Sequence, residues 1–269
     1  MKIYRTLLVL LCVLTPCLSN AQAINQSNAD GLKEGRWIVK YDNGRTRYEG
    51  FFDAGRPVGK MKKYYSTGIM CAELIYSLDS DTIQAKLYDK KAIIIASGAY
   101  ADTKKVGRWQ YFKDGILAYK QDYSNDTKNG QRIVYFKDGT IFETSDWVNG
   151  SLCGKYQTFF PGSGQVSFET YTQNGVYSGD AVSYYENGNP ESKGSYKNGN
   201  QEGKWDYFNY DGKHLYTLEF INGVMQVNEI YDSIQTREIN KLLQRVNDKR
   251  PDPEDFIADP HRYIEKAAQ

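Results

Sequence analysis

"GRWQYFKDG", residues 107–115, sets a glycine, a base, a tryptophan and two more aromatics ahead of an Asp-Gly pair. "GRWIVKYDNG" at 35–44 and "GKWDYFNYDG" at 203–212 repeat the arrangement. Either this is a glycine-rich loop that cradles phosphate, or it is a structural unit used many times. A phosphate cradle needs a helix directly after its glycines, so that backbone N–H groups face the anion. Here an aromatic-rich extended stretch follows each glycine, and then a turn. The structural reading wins.

The opening glycines are Gly35, Gly59, Gly107, Gly130, Gly154, Gly179 and Gly203, at spacings of 24, 48, 23, 24, 25 and 24. The 48 holds two periods, so a degenerate unit starts near Ile83, with Tyr88 at the aromatic position and Ala92 where a turn glycine is expected. A fixed period of this length marks a repeat array, here eight bricks over residues 31–225. Asn43-Gly44, Asp114-Gly115, Asp138-Gly139, Asn187-Gly188 and Asp211-Gly212 turn the chain inside bricks. Asn149-Gly150, Asn174-Gly175, Asn198-Gly199 and Asn222-Gly223 turn it between them. Such dipeptides tolerate the positive φ of tight hairpin turns. Each brick is therefore a predicted β-hairpin, closed by Phe52, Tyr76, Tyr100, Tyr123, Trp147, Tyr171, Tyr196 and Phe220 in turn.

Strand side chains alternate faces. The second residue after each glycine forms one row: Trp37, Met61, Ala85, Trp109, Arg132, Tyr156, Ala181 and Trp205. This row is expected to pack against the closing aromatics and against Gly50, Gly98 and Gly194. The fifth residue forms a ladder on the other face: Tyr64, Tyr88, Phe112, Tyr135, Phe159, Tyr184 and Phe208. A single layer cannot bury both faces, so one aromatic set stays open to solvent, and an exposed apolar strip marks an interaction surface. The ladder is the candidate binding site.

Gly-x-Trp, an aromatic, Asp/Asn-Gly, then Gly-x-Tyr/Phe and Asn-Gly at this pitch resembles the MORN-repeat variant family. It is most similar to the bacterial proteins labelled YwqK-like antitoxins. The resemblance covers roughly 195 of the 269 residues. It implies an elongated, twisted, single-layer antiparallel sheet and a scaffold for protein contacts, with lipid headgroups proposed as ligands for some members. Brick three, without its opening and turn glycines, departs most; "PGSG" at 161–164 makes a locally longer turn.

The first 21 residues read as a secretory leader: Lys2 and Arg5, then apolar Leu7 to Leu14, then Ser19-Asn20-Ala21 before the cut. Lipid attachment at Cys17 is the alternative, against which Pro16 stands where a small residue is usual. Residues 22–30 read as a linker. With Lys2 and Arg5 removed, the net charge of +1 becomes −1, so neither nucleic acid nor an anionic membrane is favoured. The leader's apolar run is too short to span a bilayer, and no transmembrane segment is expected after its removal. Cys71 and Cys153, about three bricks apart, should be free thiols. In residues 226–269, Ile239, Leu242, Leu243 and Val246 have helical spacing, Pro251 and Pro253 stop the run, and a shorter helix starts at Asp259-Pro260. That tail is expected to cap the last sheet edge or to dock a partner.

Chemistry is hard to find. His214 and His261 sit at no metal-ligand spacing from each other or from a cysteine. Asp79-Ser80-Asp81 has too few acids for a calcium loop, and no Gly-x-Ser-x-Gly elbow occurs. A non-enzymatic scaffold without metal or cofactor is expected, exported to the periplasm, outer membrane or medium, with an unidentified envelope or surface protein as partner. A carbohydrate- or lipid-headgroup-binding module is the alternative, and an antitoxin a third.

Overall fold

The computed structural model describes residues 23–77 and 79–226, which hold eighteen strands and no helix. The expected leader and the expected C-terminal helices lie outside the described residues. Brick one is β2 (Lys33–Lys40) and β3 (Thr46–Asp53), brick two β4 (Arg56–Tyr64) and β5 (Met70–Tyr76), and brick three β6 (Thr82–Tyr88) and β7 (Ile94–Ala101). Brick four is β8 (Lys104–Lys113) and β9 (Ile116–Ser124), brick five β10 (Thr127–Tyr135) and β11 (Ile141–Val148), and brick six β12 (Ser151–Phe159) and β13 (Val166–Gln173). Brick seven is β14 (Val176–Tyr184) and β15 (Pro190–Lys197), and brick eight β16 (Asn200–Phe208) and β17 (His214–Ile221). Short strands β1 (Gln26–Ser27) and β18 (Val224–Gln226) flank the eight hairpins. Each strand pairs antiparallel with the next in the chain, giving one open sheet in sequence order. At about 4.8 Å per strand the sheet extends roughly 80 Å.

Residues 22–30, read as a linker, supply an edge instead. Gln26 and Ser27 pair with Glu34 and Lys33. The Asn25 side chain then imitates a strand: its Oδ1 accepts from Ile38 N at 2.7 Å and its Nδ2 donates to Ile38 O at 3.0 Å. Trp37 Nε1 donates to Gln26 O at 3.0 Å.

The two kinds of turn differ. Between bricks, except after brick two, both central residues have positive φ, as at Asn149 (49°) and Gly150 (86°), the primed geometry that matches strand twist. Inside most bricks only the glycine does. Gly44 N donates to Tyr41 O and Tyr41 N to Arg45 O, a wider turn closed by one left-handed residue. Both kinds were expected to be tight two-residue turns. Inside a brick that holds only for Asp114-Gly115 (52° and 80°), where the glycine spacing drops to 23. Ala92 fills its glycine position at φ 62°.

Sixth-position tyrosines tie one brick to the next. Tyr41, Tyr65 and Tyr185 donate their hydroxyls to the backbone carbonyls of Tyr64, Tyr88 and Phe208 at 2.7–2.9 Å.

The second-position row is the core. Trp109 is fully buried and Trp205 nearly so, while Met61, Ala85, Arg132, Tyr156 and Ala181 are also buried and Trp37 is half-buried. The expected glycine partners lie one strand further on than their own hairpins. A Cβ on Gly98 would fall inside the Trp109 ring, and one on Gly194 inside the Trp205 ring. Each tryptophan thus lies on the glycine of the preceding brick. Tyr100 meets Trp109 edge-on at 4.8 Å and Tyr196 meets Trp205 at 5.1 Å, contacts worth about 0.5–1.5 kcal/mol each beyond area burial. Lys33 places its ammonium 4.7 Å from the Trp37 ring centre and 4.8 Å from Phe52, and Lys105 lies 5.1 Å from both Trp109 and Tyr123.

Two apolar clusters result, one over bricks one to four and one over bricks five to eight. At their junction the row turns polar: Gln121, Arg132, Glu143 and Ser145 are all buried. Glu143 accepts from Ser145 Oγ at 2.9 Å and from Tyr156 OH at 3.3 Å. Burial pushes its carboxyl up, against the opposing pull of the Arg132 guanidinium.

Brick six corrects one closing residue. One extra residue in its inner turn pairs Phe159 with Val166, and Gly154 then faces Thr172 instead of Tyr171. Thr172 closes the brick, 4 % exposed, and Tyr171 turns outward, 58 % exposed.

Candidate binding face

Alternation places the fifth-position ladder on the face opposite Trp109 and Trp205. Tyr64, Tyr88, Phe112, Tyr135, Phe159, Tyr184 and Phe208 all stand there half-buried, at the same place in successive bricks. A brick advances the sheet by about 9–10 Å, so these rings form a spaced row and not a cluster.

Their surroundings are charged. The face carries cross-strand ion pairs within bricks: Arg36–Glu49 at 3.3 Å, Lys60–Glu73 at 3.3 Å, Arg108–Asp122 at 2.7 Å and Lys155–Glu169 at 3.6 Å. The base follows the opening glycine directly, so alternation sets it opposite in facing to the tryptophan row. Exposed pairs of this kind contribute about 0–1 kcal/mol each. They specify the face as wet more than they hold it together.

The ladder is wired into this network. Tyr64 OH donates to Glu49 at 2.7 Å, and Tyr184 OH donates to Glu169 at 2.7 Å, the same motif five bricks apart. Burial, then the bond to the carboxylate, pushes both phenols up to about 12. The tyrosine bond in turn holds Glu49 and Glu169 below the usual carboxylate range. Lys120 lies 5.3 Å from the Tyr135 ring centre and Lys193 5.6 Å from Phe208.

The same face carries Phe51 (42 %), Ile75 (42 %), Ile95 (41 %), Tyr171 (58 %), Leu215 (48 %) and Ile221 (51 %) as large exposed apolar residues. Sequence reasoning picked the ladder and missed these. For Phe51, Ile75 and Tyr171 the signal was a place just before the closing residue, and for Ile221 a place just after it, both of which alternation turns outward.

A shallow hollow of about 290 Å³ opens on this face at the degenerate brick, lined by Glu73, Gln84, Lys86, Ser97, Arg108 and Gln110. No ladder residue lines it. A second, of about 340 Å³, takes in Tyr64 with Tyr41, Arg47 and Cys71 and reaches Tyr48, Phe52 and Met61. Among the described residues no group of three or more His, Cys, Asp or Glu side chains is placed to hold a metal ion. Cys71 and Cys153 are free thiols.

No curated protein matches the chain. The model of the MORN repeat variant matches residues 177–198, which span β14 and β15 of brick seven. The other bricks repeat that strand–turn–strand unit in the same single sheet.

Proposed function

We propose that the chain is an exported, non-enzymatic scaffold whose open face receives another protein of the bacterial envelope. The observation that carries this reading is the division of aromatics between two faces. One set packs into the core around the fully buried Trp109 and Trp205, and the other stands half-buried on the opposite face among salt bridges and six exposed apolar residues. Rigid aromatic rings on a polar ground supply binding area at low entropic cost. MORN repeats generally mediate protein or membrane contacts, which supports a scaffold. The mature charge near zero favours a protein over an anionic lipid surface. Export rests on the basic, apolar, small-residue order of residues 1–21, and it weighs against carrying over the antitoxin role.

The test compares capture of envelope proteins by the mature chain and by Tyr135→Ser/Tyr184→Ser. Loss of the captured partner by a double variant that stays folded supports the open face. Retained capture by a folded double variant refutes it. Intact mass of the mature protein starting at Gln22 supports export, and a protein retaining Met1 in the cytoplasm refutes it.

A glycan is the second reading, favoured by the hollow where Gln84, Gln110, Lys86 and Glu73 converge beside exposed Ile75. Binding of the mature chain to envelope polysaccharide, lost in Gln84→Ala/Gln110→Ala, would establish it over a protein partner.

A further inference from the structure

The chain's balanced charge hides an uneven one. Bricks one to four, residues 31–126, hold 17 Lys and Arg against 12 Asp and Glu, whereas bricks five to eight, residues 127–226, hold 8 against 11. On the open face the imbalance centres on brick three. In bricks one, two and six the base after the opening glycine pairs with a glutamate of the next strand: Arg36–Glu49, Lys60–Glu73 and Lys155–Glu169. The same two places in brick three hold Gln84 and Ser97, which carry no charge. Lys86 is in register with Glu73 and Ser97, but Glu73 is held by Lys60 at 3.3 Å, and Lys86 has no ion pair among the described residues. Gln84, Lys86, Ser97 and Gln110 line the hollow of about 290 Å³, and none of the four side chains bonds to another described residue. The counterpart of Gln110 in brick six, Gln157, donates to Glu169 at 3.0 Å. Arg108 closes the wall with Nε and Nη2 on Asp122 at 2.7 and 2.9 Å, which leaves Nη1 as a spare donor. Lys62, in register with Glu73, and Lys120, in register with Gln110, add positive charge on either side.

We propose that this hollow receives a carboxylate side chain from an acidic, extended segment of the protein partner, with Lys86 as counter-ion and Gln84, Gln110 and Ser97 as hydrogen-bond donors. The proposal rests on the open face being the docking face for a protein. Size favours a side chain, because the hollow lies just under the about 300–1,000 Å³ of small-molecule sites. Charge favours a carboxylate, because a neutral sugar leaves Lys86 without a counter-ion, and a charge-assisted bond is the stronger one. An anionic bilayer laid along the sheet would also meet the acid-rich bricks five to eight. Ile75, 42 % exposed, forms part of the wall, and Ile95, 41 % exposed, shares a strand with Ser97. The segment therefore carries apolar residues beside its acids.

Fluorescence anisotropy of the full mature chain tests this, with a labelled hexapeptide, Glu-Val-Glu-Val-Glu-Ser, and its glutamine counterpart as probes. The acidic probe should bind about tenfold or more tightly than the neutral one, and Lys86→Glu should remove that advantage. Lys204→Glu reverses the equivalent of Lys60 in brick eight, roughly 45–50 Å along the sheet and beyond the reach of screened charge. It should leave binding of the acidic probe within about twofold. Equal binding of the two probes, or equal loss in the two variants, overturns the proposal. Binding of phosphatidylglycerol vesicles or envelope polysaccharide in place of the acidic probe also overturns it, and assigns the hollow to that ligand. Should the charge reversal lower the melting temperature, Lys86→Gln repeats the measurement under the same criteria. Capture of the envelope partner separates this proposal from the reading beneath it. A partner kept by folded Lys86→Glu but lost by Tyr135→Ser/Tyr184→Ser overturns the acidic segment and leaves the open face standing. A partner kept by both variants refutes both, and one lost by both supports both.

Discussion

The pairing of Gly98 with Trp109 gives the sharpest test of how the bricks hold together. Gly98 has no left-handed φ, so alanine there meets no backbone strain, and its whole effect comes from the Cβ that would enter the indole ring. Trp109 is fully buried, its Nε1 donates to Ala99 O at 3.0 Å and its ring meets Tyr100 edge-on. It has little room to retreat. Gly98→Ala should therefore cost about 1–3 kcal/mol, the range for overpacking a filled site. Trp109→Ala should cost about 3–5 kcal/mol by opening a cavity. Independent effects would add. The geometry says otherwise: once the indole is gone the new methyl has space, and alanine is better than glycine within a strand by about 0.5–1 kcal/mol. In the Trp109→Ala background Gly98→Ala should thus be neutral or mildly stabilising, a coupling of about 2–3 kcal/mol. Urea titration of the four proteins measures it, with hydrogen exchange in β7 and β8 alongside, because repeat arrays can open in parts. Gly194 and Trp205 should give the same cycle. If Gly98→Ala costs as much without the indole as with it, the glycine is kept for some reason other than the ring.

Thiol labelling of the denatured, unreduced mature chain should count two cysteines, since Cys71 and Cys153 are free; a count of zero with an intramolecular link would contradict a linear array. Ala92→Gly should raise stability by about 0.5–1 kcal/mol, because φ of 62° costs alanine more than glycine's added chain entropy; a lower melting temperature would disprove this. Glu49 and Glu169 have lowered folded pKa values, so their contribution is present above the unfolded carboxylate range and is lost as pH falls through the folded value. Tyr64 and Tyr184 have raised values, so theirs is present below about 10 and is lost as pH climbs toward about 12. Tyr64→Phe/Tyr184→Phe should accordingly flatten the stability profile at both ends, and an identical profile would refute the wiring of the ladder.

Most of the fold was legible because period and alternation act on every brick alike. Glycine spacing fixed the hairpins, and parity separated Trp109 and Trp205 from the ladder. The contacts between bricks were less legible. Trp109 could be assigned to a face from its own strand, but its glycine partner lies across the preceding turn, and only the three-dimensional register shows that Gly98 serves it. Residues 22–30 lacked any strand pattern because Asn25 does its pairing through a side chain. Lys33 and Lys105 carried no signal in the sequence, yet each sets its ammonium over core rings, 4.7 Å from the Trp37 centre and 5.1 Å from that of Trp109. Position put Arg132 in the core row, whereas the buried Glu143 gave no signal, since a charge on a strand normally means a wet face.

The irregular spacings show how the array keeps its two faces distinct. Bricks four and six differ from the 24-residue norm by one residue in opposite senses, and both changes fall in the inner turn. Apart from the one after brick two, the turns between bricks each keep two positive-φ residues, so the next first strand starts in phase. A one-residue change in the inner turn therefore cannot reach the following brick. It does reach its own second strand, because a slip of one residue reverses every side chain relative to the turn. In brick four the sequence compensates, and Tyr123 still faces inward opposite Gly107. In brick six the inward place opposite Gly154 falls to Thr172, and the aromatic beside it, Tyr171, is turned out onto the charged face next to Glu169 and Lys155. Turn length thus decides whether a closing aromatic serves the core or the surface. The most exposed aromatic of the open face owes its place to one added residue in a loop, at no cost to the register of its neighbours.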